Sequence, residues 1–229
     1  MKKTILLSML ALIIAGCKAD VSTAITTDDL TAAGQKEMTS NVLVEVVSCT
    51  DYQDSRNESR SLIEAKSQIG RVLRNSEYVE CYDKKMKSYA SFDVPVAVGS
   101  GRDGLEFMDS DIYILNRDDI YLAVMLNPNL IERIEREEKA SFMPRKIDLN
   151  MSISLSAKEK PIPKIAWQGV YLSDNENDAK KQPVMLEILD GEGVEKMIIT
   201  LSDVANSTLM KGDTAVIGWY PEALMEALK

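Results

Sequence analysis

Strict alternation of apolar and polar residues marks the strands of this chain most clearly between Ile147 and Leu155. Every second side chain there is apolar, which is typical of a strand with one buried face and one wet face. Residues 90–98 alternate in the same way, and Pro95 within them predicts an edge or bulge position because proline has no N–H to donate. Shorter apolar runs predict further strands at 42–47, 112–115, 120–126, 165–172, 184–189, 194–201 and 215–219.

Helical spacing of apolar residues follows a capping-box pattern at Ser55 and Glu58 and predicts a helix to about Arg74. Asn127 and Pro128 predict the start of another helix, since these residue types favour the cap and the first turn. Two short helices are predicted near 203–211 and from 221 onward. The pattern as a whole predicts an α+β fold, with antiparallel-rich sheet and three or four helices.

The segment 190–193, Asp-Gly-Glu-Gly, separates two predicted strands near the carboxyl end of the chain. Glycine and aspartate between apolar runs are typical of a β-hairpin. The sequence therefore predicts that 184–189 and 194–201 pair with each other.

The first sixteen residues have the three parts of a secretory signal peptide. Lys2 and Lys3 make a positive start, and residues 5–14 form an apolar run. Small residues then precede Cys17. The apolar run of about ten residues is roughly half of what a helix needs to cross a bilayer, which argues against a permanent span. The chain is therefore predicted to be exported and cleaved.

Residues 12–17, with the sequence LIIAGC, resemble the lipobox of bacterial lipoproteins. The resemblance implies a diacylglyceryl group on the Cys17 sulfur, cleavage between Gly16 and Cys17, and acylation of the new amine. An anchor with two or more acyl chains holds stably, whereas one chain binds reversibly. Lys18 follows the cysteine where aspartate would favour inner-membrane retention, so the family pattern points to the outer membrane of a Gram-negative cell. The implied partner is thus a membrane, reached through Cys17.

The domain organisation expected from these patterns has three parts. Residues 1–16 are the signal peptide, and 17–40 are the lipidated cysteine and a flexible tether rich in Thr, Ser, Ala and Asp. Residues 41–229 form the globular α+β domain, and 140–147 is where it would divide if it forms two subdomains. Enough chain remains after cleavage for one fair-sized domain or two small ones.

Composition excludes several classes of function. Removal of Lys2 and Lys3 with the signal peptide moves the net charge from −9 to −11. Such an acidic chain without basic runs has no electrostatic footprint for nucleic acid, and net charge alone would not attract it to an anionic membrane. The chain has no histidine, which excludes histidine-activated nucleophiles and the usual catalytic zinc sites. No cofactor and no metal site is predicted.

Cys49 and Cys81 remain once Cys17 has taken the lipid. An even pair in an oxidising compartment predicts a disulfide, which would close a loop of about 33 residues and contribute roughly 3–4 kcal/mol. The alternative is a pair of buried thiols. A redox pair is less favoured because its cysteines normally lie close together in sequence.

The acidic and glycine-rich segments offer weak candidates for chemistry. Residues 174–178 begin like a calcium loop, but Ala179 and Met185 stand where that loop needs glycine and glutamate. The glycine-rich segment 99–104 lacks the lysine of a P-loop. Four aspartates could act as paired carboxylates, although their spacing does not place them in one site: Asp109, Asp111, Asp118 and Asp119.

Aromatic residues near the carboxyl end leave two alternatives open. They form either an exposed binding patch or part of the core with satisfied polar ends, and the second is more common. The residues concerned are Trp167, Tyr171, Trp219 and Tyr220.

The body of the chain is similar to a group of uncharacterised lipoproteins of Gram-negative bacteria and their phages, through residues 44–49, 80–81 and 92–96. That resemblance implies no particular site. The leading hypothesis is a non-enzymatic envelope protein that contacts another envelope component, in surface exclusion or in a structural role. The alternatives are a carboxylate-based hydrolase, which needs two carboxylates in a cleft, and a small-molecule or lipid carrier, which needs an apolar cavity.

Overall fold

A computed structural model describes residues 17–101, 110–140, 147–174 and 183–227. The described part contains twelve strands and five helices. The strands are β1 Cys17–Thr26, β2 Gln35–Val46, β3 Glu77–Lys84, β4 Lys87–Ser100, β5 Ile112–Arg117, β6 Ile120–Leu126, β7 Ile147–Ser156, β8 Ile165–Trp167, β9 Val170–Ser173, β10 Glu187–Leu189, β11 Lys196–Leu201 and β12 Ala215–Trp219. The helices are α1 Thr27–Thr31, α2 Arg60–Val72, α3 Pro128–Ala140, α4 Asp203–Met210 and α5 Pro221–Ala227.

All twelve strands belong to one sheet, in the order β10-β8-β12-β6-β5-β4-β2-β1-β7-β11-β9, with β3 paired to β4 beside this path. Neighbouring strands are antiparallel except for β1 with β7 and β4 with β5. The predicted antiparallel-rich α+β fold is confirmed. The helix count is five rather than three or four, because the short α1 was not predicted.

The sheet curls so that its two ends approach each other. β8 and β9 stand near opposite ends of the strand order, yet only Gln168 and Gly169 separate them in the chain. Gly169 has φ +64°, a conformation that glycine adopts at little cost. Val184 donates to the carbonyl of Val170 and accepts from Gly169, at 2.6 and 2.7 Å. The single strand predicted at 165–172 is therefore two strands joined by a corner.

One apolar core fills the inside of the curl. The inward residues of β7 are buried along its whole length, as the alternation from Ile147 to Leu155 predicts. Leu62 and Ile69 of α2 and Leu130 of α3 add the core-facing sides of two helices. Strands on both sides of residues 141–146, which lie outside the described residues, share this core and this sheet. The suggested division into two subdomains near 140–147 is therefore wrong.

The predicted tether over 17–40 is also wrong. β1 lies inside the sheet between β2 and β7. It is antiparallel to β2, and it is parallel to β7 over ten residue pairs. Ala19 and Val21 are buried in the core, and Thr23 is buried with them through a hydrogen bond to Ser40. The globular domain thus begins at Cys17 rather than at 41. The strand was interpreted as a flexible segment because several of its inward side chains are small or polar.

The predicted hairpin across 190–193 does not form. β10 pairs with β8, whereas β11 pairs with β7 and β9 near the other end of the sheet. Gly191 packs so closely on Ile162 that a Cβ there would lie 2.3 Å from the Ile162 carbonyl oxygen. This glycine is required by close packing rather than by a turn.

Helix caps are partly as predicted. α2 begins after Ser59, whose hydroxyl accepts from the Leu62 N–H at 3.1 Å, so the capping box at Ser55 and Glu58 is wrong by four residues. Ser202 caps α4 as predicted, and accepts from the Ala205 N–H at 3.3 Å.

Pro95 lies within β4, opposite Thr39 of β2. On the other side of β4, β3 pairs only as far as Asp93 and β5 begins to pair at Ala97. Pro95 therefore sits in a gap between two neighbours, where a missing N–H leaves no ladder bond unmade on that side. The predicted edge position is confirmed for one side of the strand.

Candidate functional site

The end of the sheet at which β1 begins is called the Cys17 end. Ala19 is opposite Val44, and Val46 is opposite Ser88, so the first residues of β1, the last of β2 and the first of β4 lie side by side. The β3–β4 turn lies at the same end, because Lys84 pairs with Lys87. Neighbouring strands are about 4.8 Å apart, which places this turn roughly 10–15 Å from Cys17.

The β3–β4 turn consists of Lys84, Lys85, Met86 and Lys87 and is called the Lys84 hairpin. Its two central residues have φ of +50° and +63°. Two-residue hairpin loops with both φ values positive usually carry Asn-Gly, because other residues are strained there by roughly 1–2 kcal/mol each. Lys85 and Met86 stand in these positions, and the Met86 side chain is fully exposed.

Few acidic groups oppose the charges of the Lys84 hairpin. Lys87 forms an ion pair of 2.7 Å with Glu45, and this hydrogen-bonded neighbour raises the pKa of Lys87. Asp83 accepts a hydrogen bond from the Ser88 hydroxyl. Within the described part of the chain, Lys84 and Lys85 have no ion pair. Lys18, beside Cys17, is exposed as well.

The predicted disulfide joins Cys49 to Cys81 in the structure. Cys81 is opposite Ala90 in the ribbon formed by β3 and the first half of β4. The bond therefore fastens the loop after β2 onto the ribbon whose tip is the Lys84 hairpin. The same loop is held by the Ser59 N–H, which donates to the Cys49 carbonyl at 3.1 Å.

Asp111 is the most deeply buried acidic group among the described residues, and it is fully satisfied. One carboxylate oxygen accepts from the Arg74 N–H at 2.7 Å, and the other accepts from the guanidinium of Arg133. Arg133 also donates to the Val72 carbonyl at 2.7 Å. These bonds, called the Asp111 cluster, tie the end of α2 to α3 and to the start of β5. Each Asp111 oxygen therefore has a donor within the fold, and the cluster joins these elements.

The other candidate carboxylates do not gather into one site. Asp118 and Asp119 form the turn at the far end of β5 from Asp111, about 20 Å away at the rise of a strand. Asp174 is exposed, whereas Asp109 and Asp178 lie outside the described residues. No group of three or more Cys, Asp or Glu side chains that could hold a metal ion occurs in the described ranges.

In the glycine-rich segment 99–104, close packing accounts for the glycine at position 99. Gly99 has φ +140°, and a Cβ there would lie 2.2 Å from the Gly34 carbonyl oxygen. This close contact between β4 and the start of β2 excludes any side chain. Residues 102–104 of the predicted loop lie outside the described residues.

Among the aromatic residues near the carboxyl end, Trp167 belongs to the core. Trp167 is fully buried and makes an edge contact with Tyr121, which makes a second edge contact with Tyr220. Burial raises the pKa of the Tyr121 phenol far above its usual range. Tyr171, Trp219 and Tyr220 are half-buried. An exposed patch of these residues is thus absent from the described surface.

Exposed aromatic and aliphatic side chains lie instead around β3. Tyr52, in the loop held by the disulfide, is fully exposed, and Val79 is half exposed at a bulge in β3. Tyr78 packs on Phe92 and beneath the Lys66 ammonium, 4.2 Å from the ring centre. Among the described strands, β3 pairs with β4 alone, so its other edge is open. This surface was not predicted from the sequence, because β3 shows no apolar alternation.

A cavity of about 550 Å³ lies between α4, β12 and the corner after β8, and is called the α4 pocket. Its apolar lining includes Met185, Val204, Ala205 and Ile217. Gln168 borders it and donates to the Val216 carbonyl at 3.1 Å. Its residues come from four separate segments of the chain, so no sequence motif predicts it. A cavity of this size is typical of small-molecule sites.

No helix in the described ranges is both long enough and apolar enough to span a membrane. No curated protein and no solved structure matches the chain. A family model described as a domain of unknown function, DUF7424, matches residues 19–224. The match starts two residues after Cys17 and covers β1, which agrees with a fold that includes the segment predicted as a tether. The chain belongs to this family.

Proposed function

We propose that this protein is a lipid-anchored, non-enzymatic lipoprotein of the cell envelope that acts by contacting another envelope component. The observation that carries the proposal is the place of Cys17. The residue at which the lipobox sets cleavage and acylation is also the first residue of β1. Cleavage before it would leave every described strand intact, and lipid on it would hold the domain directly against the membrane.

The anchor is tested by labelling the full chain with radioactive palmitate. The wild type is expected to incorporate label and to lose residues 1–16, whereas Cys17→Ser is expected to do neither. Wild-type incorporation by the variant would refute the anchor. Cys49→Ala with Cys81→Ala is the matched control, since it removes cysteines without touching the lipobox.

The positions of exposed aromatic and apolar side chains support a contact role. Binding energy at interfaces concentrates in Tyr, Trp and Arg with neighbouring apolar groups. Tyr78 and Val79 on the ribbon, and Tyr52 in the loop that the disulfide fastens to it, place such groups beside an open strand edge. The described acidic groups offer no comparable site for chemistry, because Asp111 has its donors inside the fold and the other candidates do not gather into one site.

The contact surface is tested with a photo-crosslinking amino acid at Tyr52 in the lipidated protein in cells. A specific crosslinked envelope protein is expected there, and none is expected from Asp213, an exposed control position beyond α4. Crosslinks of equal yield at both positions would contradict a contact surface at β3.

The α4 pocket favours a second candidate, a carrier of a small apolar molecule. Its volume of about 550 Å³ and its apolar walls fit a ligand of that kind. Native mass spectrometry of protein extracted from its own membrane tests it. A bound small molecule that is lost in Ala205→Trp, which fills the cavity, would favour the carrier over the contact role.

A further inference from the structure

The Lys84 hairpin stands out from the acidic surface of this protein in charge. Residues 83–88 contain three lysines and one aspartate, a local net charge of +2 in a chain whose net charge is −9. Lys84 and Lys85 have no acidic partner among the described residues. The acidic groups near these cations are Asp83, Asp20 and Glu45, and Glu45 is already paired with Lys87.

The hairpin also projects from the Cys17 end. Ser88 is level with the last residue of β2, and Met86 lies two residues further out. At the rise of a strand this places Met86 about 7 Å beyond the last residue of β2. Amphipathic segments that rest on membranes bury their apolar side chains roughly 5–10 Å deep, with lysines at the level of the headgroups. An exposed methionine flanked by lysines matches that arrangement.

We infer that the Lys84 hairpin is a second membrane contact, in which Lys84 and Lys85 bind the phosphates of anionic lipid headgroups and Met86 enters the interface. This rests on the proposed anchor at Cys17, which brings the same end of the sheet to the bilayer. Two contacts roughly 10–15 Å apart fix the tilt of the domain, whereas one lipid anchor leaves it able to swing. The ribbon and the open edge of β3 would then be presented at a set height above the membrane.

Charge complementarity decides in favour of lipid as the occupant. Each lysine near an anionic membrane surface strengthens binding roughly fivefold, and the effect falls off within a Debye length. The anchor supplies a high local concentration, so a two-lysine contact that would be too weak alone is sufficient here. The overall net charge does not oppose it, because distant acidic groups are screened.

Lysine acetylation of the wild-type, processed protein tests the inference without any substitution. The protein is placed in detergent, in neutral phosphatidylcholine vesicles, and in vesicles with added phosphatidylglycerol, and the labelling rate of each lysine is read by mass spectrometry. Lys84 and Lys85 are expected to react roughly fivefold more slowly on the anionic vesicles, and high salt is expected to restore their rates. Lys158, which is exposed beyond the far end of β7, is expected to react equally in all three.

The outcomes separate this inference from the anchor. A protein that fails to float with vesicles refutes the anchor and the hairpin contact together. A protein that floats while Lys84 and Lys85 react as fast as in detergent refutes the hairpin contact alone. Equal protection on neutral and anionic vesicles refutes recognition of headgroup charge.

Charge reversal gives an independent reading. In the wild type, Lys87 at the base of the same turn should share the salt-sensitive protection on anionic vesicles. In Lys84→Glu with Lys85→Glu, this protection of Lys87 is expected to be lost. Lys158→Glu with Lys164→Glu is the control of equal charge change, on exposed residues between β7 and β8, and should retain it. Unchanged protection of Lys87 in the first variant would overturn the inference. The denaturation midpoint of each variant, read beforehand, establishes that both are folded.

Discussion

The Asp111 cluster and the Lys84 hairpin hold charge in opposite ways. Asp111 is buried, and every strong donor around it belongs to the protein: the Arg74 amide and the Arg133 guanidinium. Lys84 and Lys85 are exposed on a strained turn and have no acidic partner among the described residues. A charge already matched inside a fold contributes to stability and specifies packing. A charge left unmatched at the surface is available to something outside the protein.

The proposed hairpin contact differs from what the net charge predicts. From a total of −11 after cleavage, the sequence predicted no attraction to an anionic membrane. The total combines the charge at the Cys17 end with acidic residues far beyond a Debye length, which is about 8 Å at physiological salt. Only the register of β3 and β4 shows that three lysines lie at the end of the sheet where β1 begins.

The largest effect is expected from breaking the Asp111 cluster. Asp111→Ala leaves the Arg133 guanidinium partly buried without its anion, and such a loss typically costs about 3–5 kcal/mol of unfolding free energy. Urea denaturation measures it, with Asp213→Ala at an exposed position as the control, expected within about 0.5 kcal/mol of the wild type. A loss of unfolding free energy below about 1 kcal/mol would show that the Asp111 cluster does not stabilise the fold, and the contrast with the Lys84 hairpin would fail.

Removing the disulfide tests how firmly the hairpin's ribbon is supported. Cys49→Ala with Cys81→Ala frees a loop with a sequence separation of 32 and should lower the unfolding free energy by about 3–4 kcal/mol. Amide exchange should accelerate in β3 more than in β7, because the bond acts on the ribbon and not on the interior of the sheet. Uniform acceleration across both strands would contradict a local role.

Relieving the strained turn should have an effect of opposite sign. Met86→Gly is expected to stabilise the fold by about 0.5–1 kcal/mol, because glycine adopts positive φ without a Cβ penalty and loses only part of that gain in entropy. Met225→Gly, at another exposed methionine but within α5, should destabilise by about 1 kcal/mol. If Met86→Gly destabilised the isolated protein, the methionine would be serving the fold rather than the membrane.

The smallest expected effect concerns Glu137, which joins α3 to α2. Its hydrogen bonds from Arg71 hold its pKa below the usual value of 4.5. A lowered folded pKa means that the pair stabilises the fold above the unfolded pKa and loses this contribution as the pH falls through the folded pKa. The difference between wild type and Glu137→Gln should therefore be constant above about pH 5.5 and shrink below 4.5, with a size under about 1 kcal/mol. A difference that grew in acid would refute the assignment.

The strands with long alternating runs of apolar and polar residues were predicted correctly. The elements that were missed have small, polar or unusual residues at the positions that matter. β4 and β7 were predicted because large β-branched and aliphatic residues alternate with polar ones. β1 was missed because Ala19 and Thr23 occupy inward positions, where a small or hydroxyl side chain gives no apolar signal. The Lys84 hairpin was missed because its turn has neither glycine nor asparagine. The disulfide was predictable by counting cysteines, whereas the α4 pocket depends on a curl that brings distant segments together.

The parallel pairing of β1 with β7 has a mechanical consequence for an anchored protein. A force on lipid attached at Cys17 would act along the axis of β1, which is also the axis of β2 and β7. The ladder bonds to β2 and β7 then bear the load side by side over the length of the strand, and they must fail together rather than one after another. In an edge strand pulled perpendicular to its axis, the ladder bonds would instead break one after another. In the proposed anchored state, tension between the lipid and the domain would be carried by shear of the ladder bonds of β1.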